Sequence, residues 1–154
     1  MSEFLQQPPE LKQDPWNLSR FVQAQSTQYQ QALREIQNGR KQTHWMWYIF
    51  PQLRQLGRSS MAHFYGIENR EEAMAYLAHP ILGPRLVEIS RALMELQEQD
   101  PLTVMGSPDH MKLRSCMTLF ALLPGADPVF QAVLQKYFGG RQDRKTLVLL
   151  GCAV

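Results

Sequence analysis

Between Arg40 and Gln52 the chain carries two cations, an imidazole, two indoles, a phenol and an amide: Arg40, Lys41, His44, Trp45, Trp47, Tyr48 and Gln52. Those groups could bind a small molecule. Aromatic faces stack on planar ligands, and the Arg40–Lys41 pair would take a phosphate or carboxylate. Histidine is the residue type whose reference pKa lies nearest neutrality, so His44 is the candidate general acid or base if the protein is an enzyme. On a helix, His44, Trp47, Tyr48 and Pro51 would share one face, with Gln52 beside it to donate or accept a hydrogen bond. The competing reading is plain core. Each large aromatic buries ~150–250 Å², buried indole N–H groups find carbonyl partners, and cations after a helix complement its dipole.

Two further sets deserve the same weighing. Gln25 lies in the apolar stripe of the first helical segment, where a buried amide needs a partner. It either faces the cavity of His44 or bonds a helix end. Asp109, Lys112 and Ser115 follow one another at spacings of three, which places them on one helix face near an N-terminus able to receive an anion. No base adjoins Ser115, so the set completes no catalytic arrangement, and an ion pair between Asp109 and Lys112 accounts for it equally well. His63, His79 and His110 lack the spacing of metal ligands, and no metal or other cofactor is expected. Gly139-Gly140 is not preceded by a strand, so it carries no nucleotide signal.

The elements that must hold these groups read as helices throughout. Asp14 or Asn17 caps a first helix whose apolar positions are Leu18, Phe21, Val22, Tyr29, Leu33 and Ile36, ended by Gly39. Residues 44–50 are apolar on every side, which reads as a short buried helix stopped by Pro51. After an ambiguous segment at 61–67, Asn69 starts a helix through residue 78, with Glu72 in the capping-box position. An amphipathic helix runs from residue 82 to about 99, and residues 101–105 read as a turn. Ser107-Pro108-Asp109 starts the next helix with Ser107 as cap, and Asp127-Pro128 starts another over residues 129–138. A last helix covers residues 143–150. The reading is all-α: one domain of six to eight helices over residues 14–154, packed as an irregular or orthogonal bundle, after a poorly ordered Gln/Pro-rich leader at residues 1–13.

Bulk properties remove several classes of function. With 16 basic and 14 acidic residues the net charge is +2, too balanced to drive binding to nucleic acid or to a membrane surface. No apolar run is long enough for a membrane span, and the first residues lack a secretory pattern. Two cysteines without paired spacing, Cys116 and Cys152, read as reduced thiols, and the expected location is cytoplasmic.

Five stretches taken together carry a family resemblance. They are Asp14-Pro15-Trp16-Asn17-Leu18, Arg20-Phe21-Val22-Gln23-Ala24-Gln25, Gly39-Arg40-Lys41 with residues 44–52, His79-Pro80-Ile81-Leu82-Gly83-Pro84-Arg85-Leu86, and Lys112-Leu113-Arg114-Ser115-Cys116-Met117-Thr118-Leu119-Phe120. The chain resembles the bacterial domain of unknown function 1810 family from residue 14 to about 150. That resemblance implies a compact helical domain and no established activity. Such proteins sometimes carry the label calpastatin, which would imply protease inhibition by a disordered chain; a folded, aromatic-rich sequence gives that label no support.

The expectation is a cytoplasmic helical domain binding a small anionic or planar metabolite, nucleotide derivatives included. Its pocket would use Gln25, Arg40, Lys41, His44, Trp47, Tyr48, Gln52, Lys112 and Ser115, while Trp45, Met46, Ile49 and Phe50 serve as core. The alternative is a protein-interaction module without catalysis, whose aromatic block is core only.

Overall fold

The computed structural model describes residues 14–153; the expected leader at 1–13 lies outside them. Nine α-helices are found among the described residues. They are α1 (Ser19–Gln37), α2 (Met46–Ile49), α3 (Ser60–Phe64), α4 (Arg70–Ala78), α5 (Leu82–Glu95), α6 (Pro101–Met105), α7 (Asp109–Ala121), α8 (Val129–Phe138) and α9 (Arg144–Leu149), with a 3-10 turn at Arg54–Leu56. The described chain has no strand, and one isolated bridge joins Leu53 and Ile67. None of the helices is long and apolar enough to cross a membrane.

Helix α1 begins where Asp14 accepts the backbone N–H groups of Leu18 (2.7 Å) and Ser19 (3.2 Å), relieving two orphan donors. It ends in a Schellman motif: Gly39 adopts φ +85°, its N–H donates to the Ile36 carbonyl, and Arg40 N–H donates to that of Glu35. Its stripe of Phe21, Tyr29, Ala32, Leu33 and Ile36 packs against α5, which also touches α4 and α8; α7 packs on α8. Phe21, Tyr76, Phe120 and Phe130 form a ladder of rings 5.0–6.0 Å apart through this centre. The closest backbone approach is at Gly83, where an added Cβ would sit 2.1 Å from the Leu77 carbonyl oxygen. Only glycine allows α5 to start so tightly against the end of α4.

Three boundaries besides the start of α2 differ from the sequence reading, each for a reason seen in its hydrogen bonds. Residues 101–105 close into a helical turn because Asp100 caps it, accepting Leu102 N–H at 3.0 Å. Helix α5 stops at Glu95, short of 99, because α8 takes its terminal carbonyls: Lys136 Nζ donates to Leu93 and Met94 (both 3.1 Å) and to Leu96, and the Tyr137 hydroxyl donates to Leu93. Ser107 does not cap α7; the ladder starts from the Gly106 and Pro108 carbonyls, which accept from His110 and Met111.

His79 does more than turn the chain. Its Nδ1 accepts the N–H groups of Ile81 (3.1 Å) and Leu82 (3.3 Å), so a neutral imidazole caps α5. Burial lowers its pKa, with Asp14 opposing in part. A folded pKa below the unfolded value means that stability is complete above about 6.5 and is lost as pH falls through the folded value. Denaturant titrations should therefore show a loss of about 0.5–2 kcal/mol between pH 7 and 5, the range of a helix cap. In His79→Asn, whose side chain caps without titrating, that part of the slope should vanish. An unchanged slope would assign it to the other histidines.

Candidate functional site

Helix α2 starts at Met46, so His44 lies before it on an exposed bend and shares no helix face with Trp47 and Tyr48. The expected common face fails for that reason. Tyr48 is buried, its ring 5.1 Å from that of Tyr65, and burial raises its pKa. It belongs with the core. Trp45, Met46, Ile49 and Phe50, assigned to the core from sequence, are all nearly inaccessible.

What shapes the segment ahead of α2 is Glu35, a residue the sequence reading passed over. Its carboxylate accepts from Gln42 N–H (2.7 Å), Thr43 N–H (3.0 Å), the Thr43 hydroxyl (2.6 Å), Trp45 Nε1 (2.9 Å) and Gln31 Nε2 (2.9 Å). Burial alone would raise this carboxyl. The hydrogen bonds from Thr43, Gln31 and the two backbone N–H groups outweigh it and hold the pKa at about 2. The one sequence signal is its place beside Ile36 on the buried side of α1.

Lys41 is turned inward. Its ammonium sits 2.9 Å from Asp109, donates to the Thr43 carbonyl, and lies 4.9 Å from the centroid of the Trp45 ring. Lys112 reaches the other Asp109 oxygen at 3.8 Å and stands 5.8 Å from the Trp47 ring centroid. One carboxylate thus faces both lysines and cancels much of the attraction an anion would feel there. Trp47, Gln52, Tyr65 and Lys112 do converge, on a crevice of about 10 Å³. That is room for roughly one water and no metabolite.

The remaining candidates lie apart from that crevice. Gln25 is held inside the core, its amide donating to the Tyr48 carbonyl (2.7 Å) and the Tyr76 hydroxyl (3.1 Å) while accepting from Arg85 (3.4 Å). Ser115 is buried, with its hydroxyl bonded back to the Met111 carbonyl at 3.2 Å. Arg40 is exposed. Among the described residues, no group of three or more His, Cys, Asp or Glu side chains could hold a metal ion.

A roomier site lies elsewhere. The 3-10 turn and α9 enclose a groove of about 560 Å³ with Leu56, Val148 and Leu149 as apolar walls and Arg58, Arg144 and Lys145 as cations. That volume falls within the range of small-molecule pockets. Val148 is 57% and Leu149 42% exposed. Among the described residues none of the three cations has a carboxylate partner, whereas Lys41 and Lys112 share one. Asp143 caps α9 through Thr146 N–H and hydroxyl, and this presents Arg144 and Lys145 at the first turn. Sequence reasoning missed the groove. Its one signal was that residues 147–150 are apolar on all sides of a short helix, more than its inner face can bury.

Comparison with known proteins adds kinship. The crystal structure of the conserved hypothetical protein Rv1873 from Mycobacterium tuberculosis is 48% identical, matches 91% of this chain and 100% of that one, and superposes with a TM-score of 0.88. No curated protein matches. The family model described as "Protein of unknown function (DUF1810)" covers residues 15–150, so the chain belongs to that family.

Proposed function

We propose that this protein binds a small anionic metabolite with an apolar body, and that it does so in the groove between the 3-10 turn and α9. The observation that carries the reading is the set of three cations without carboxylate partners among the described residues, Arg58, Arg144 and Lys145, around exposed Val148 and Leu149. An anionic head would take the cations, and an aliphatic body would cover the leucines and valine. The aromatic block supports the core reading instead, because its crevice of about 10 Å³ is too small for a metabolite and its lysines face Asp109. The described residues that line the groove include arginine and lysine but no histidine or carboxylate, which favours binding over catalysis. A balanced net charge keeps nucleic acid out of this reading.

Thermal unfolding in the presence of octanoate or octyl phosphate tests it. A ligand at a hundred times its Kd should stabilise by about 2.7 kcal/mol, a readable rise in Tm. The Arg144→Glu/Lys145→Glu variant should unfold like the parent without ligand, since both side chains are exposed, and should lose the rise. A rise that survives in this variant but disappears in Lys112→Gln would return the site to the aromatic block. No rise with either compound would remove the groove as a ligand site.

A further inference from the structure

The groove beside α9 carries more positive charge than one carboxylate can answer. Arg58 enters it from the loop after the 3-10 turn, Arg144 and Lys145 from the start of α9, and its described lining includes no carboxylate. The acid next to them in the chain, Asp143, is committed to the helix itself: one of its oxygens accepts the Thr146 N–H (3.0 Å) and hydroxyl (2.5 Å). Other guanidinium groups serve the fold, since Arg54, Arg70 and Arg114 each donate to a backbone carbonyl. Arg58, Arg144 and Lys145 have neither a carboxylate nor a carbonyl partner among the described residues. The described walls beside them are aliphatic, Leu56, Val148 and Leu149, with no aromatic ring on which a nucleobase could stack.

Resting on the binding reading above, we infer that the ligand is a phosphate monoester of an aliphatic alcohol. Such a head carries between one and a half and two negative charges near neutral pH and three acceptor oxygens. Three cations match it, whereas a carboxylate would answer one of them. Two of the three are arginines, whose planar fork takes two oxygens of one phosphate. The alkyl chain covers Leu56, Val148 and Leu149. The same chemistry is offered by a soluble alkyl phosphate and by the phosphatidic acid of a bilayer; nucleotides fall outside the class.

Titration calorimetry at low salt with octyl phosphate, octyl sulfate, octanoate and adenosine monophosphate tests the inference. At about pH 7.5 octyl phosphate should bind about three- to tenfold tighter than octanoate, the gain expected from further exposed ion pairs. Near pH 5 the phosphate becomes a monoanion, so its advantage over octyl sulfate, a monoanion throughout, should disappear. The preference for phosphate over carboxylate should fall in Arg58→Gln, a change at an exposed position, and adenosine monophosphate should bind more weakly than octyl phosphate. Equal affinity for the three octyl anions would overturn the phosphate class and leave the groove standing. A preference that survives Arg58→Gln would overturn the three-cation head, and adenosine monophosphate binding as tightly as octyl phosphate would overturn the aliphatic body. Failure of every octyl anion to bind would overturn both readings. Sedimentation with phosphatidylcholine vesicles containing phosphatidic acid separates the two sources. Retention that octyl phosphate displaces places the ester in a bilayer, and octyl phosphate binding without retention places it in solution; both support the class. Retention that octyl phosphate does not displace would overturn it in favour of a surface attracted by charge alone.

Discussion

Replacing Glu35 with alanine is expected to destabilise this protein by about 3–5 kcal/mol, because several donors lose a charged acceptor worth about 1.5–3 kcal/mol per bond. Five donors converge on that carboxylate, among them the Trp45 indole and the backbone N–H groups of Gln42 and Thr43. Alanine would leave Trp45 Nε1, which is fully buried, without its acceptor. The same bonds fix a pH dependence. The folded pKa is depressed to about 2 from an ordinary 4.5. Stability from Glu35 is therefore complete above about 4.5 and lost as pH falls toward 2, and at ~1.4 kcal/mol per pH unit the displacement is worth about 3 kcal/mol. Denaturant titrations of parent and Glu35→Ala between pH 6 and 2 should converge as the acid limit is approached. A variant within about 1 kcal/mol of the parent at pH 6 would show that residues 39–45 hold their shape without the carboxylate.

Glu35 also explains why the aromatic block was only half legible in sequence. Hydrophobicity at residues 45–50 is a local signal, and it marked Trp45, Met46, Ile49 and Phe50 for the core, where they lie. The start of α2 was not a local matter. Residues 41–44 fold back over α1 because a carboxylate on that helix collects their donors, so the helix begins at Met46 and His44 falls on the rim. Likewise Asp109 and Lys112 read as a pair at i,i+3 spacing, but the stronger partner is Lys41, brought in by tertiary packing. The all-helical class and the caps Asp14 and Asn69 were legible because they depend on residues close to one another in the chain. The groove was not, since Leu56 and Arg58 meet Arg144 and Val148 only after the chain has folded.

The second large effect is expected at Arg20, which the sequence offered only as part of a motif. Its guanidinium has five N–H donors, and all are engaged. They go to the carbonyls of Phe64 (2.7 Å), Trp16 (2.7 Å), Asn17 (2.9 Å) and Gly66 (2.9 Å) and to Glu72 at 2.8 Å. The Arg20 and Glu72 side chains are 4% and 1% exposed. The Glu72 carboxylate in turn accepts Glu68 N–H at 2.7 Å, so one ion pair ties the start of α1 to the loop ahead of α4. Arg20→Met keeps the bulk but leaves a buried carboxylate unpaired, and should cost about 3–5 kcal/mol. Arg20→Lys should recover little of that loss, because an ammonium has three donors where five acceptors wait. Glu72→Gln in the Arg20→Met background removes the stranded charge, so the double variant should be more stable than Arg20→Met alone. A double-mutant cycle from denaturant unfolding reads that coupling directly. If the two losses simply add, the pair contributes no mutual stabilisation, and the anchoring belongs to the four carbonyls around Arg20.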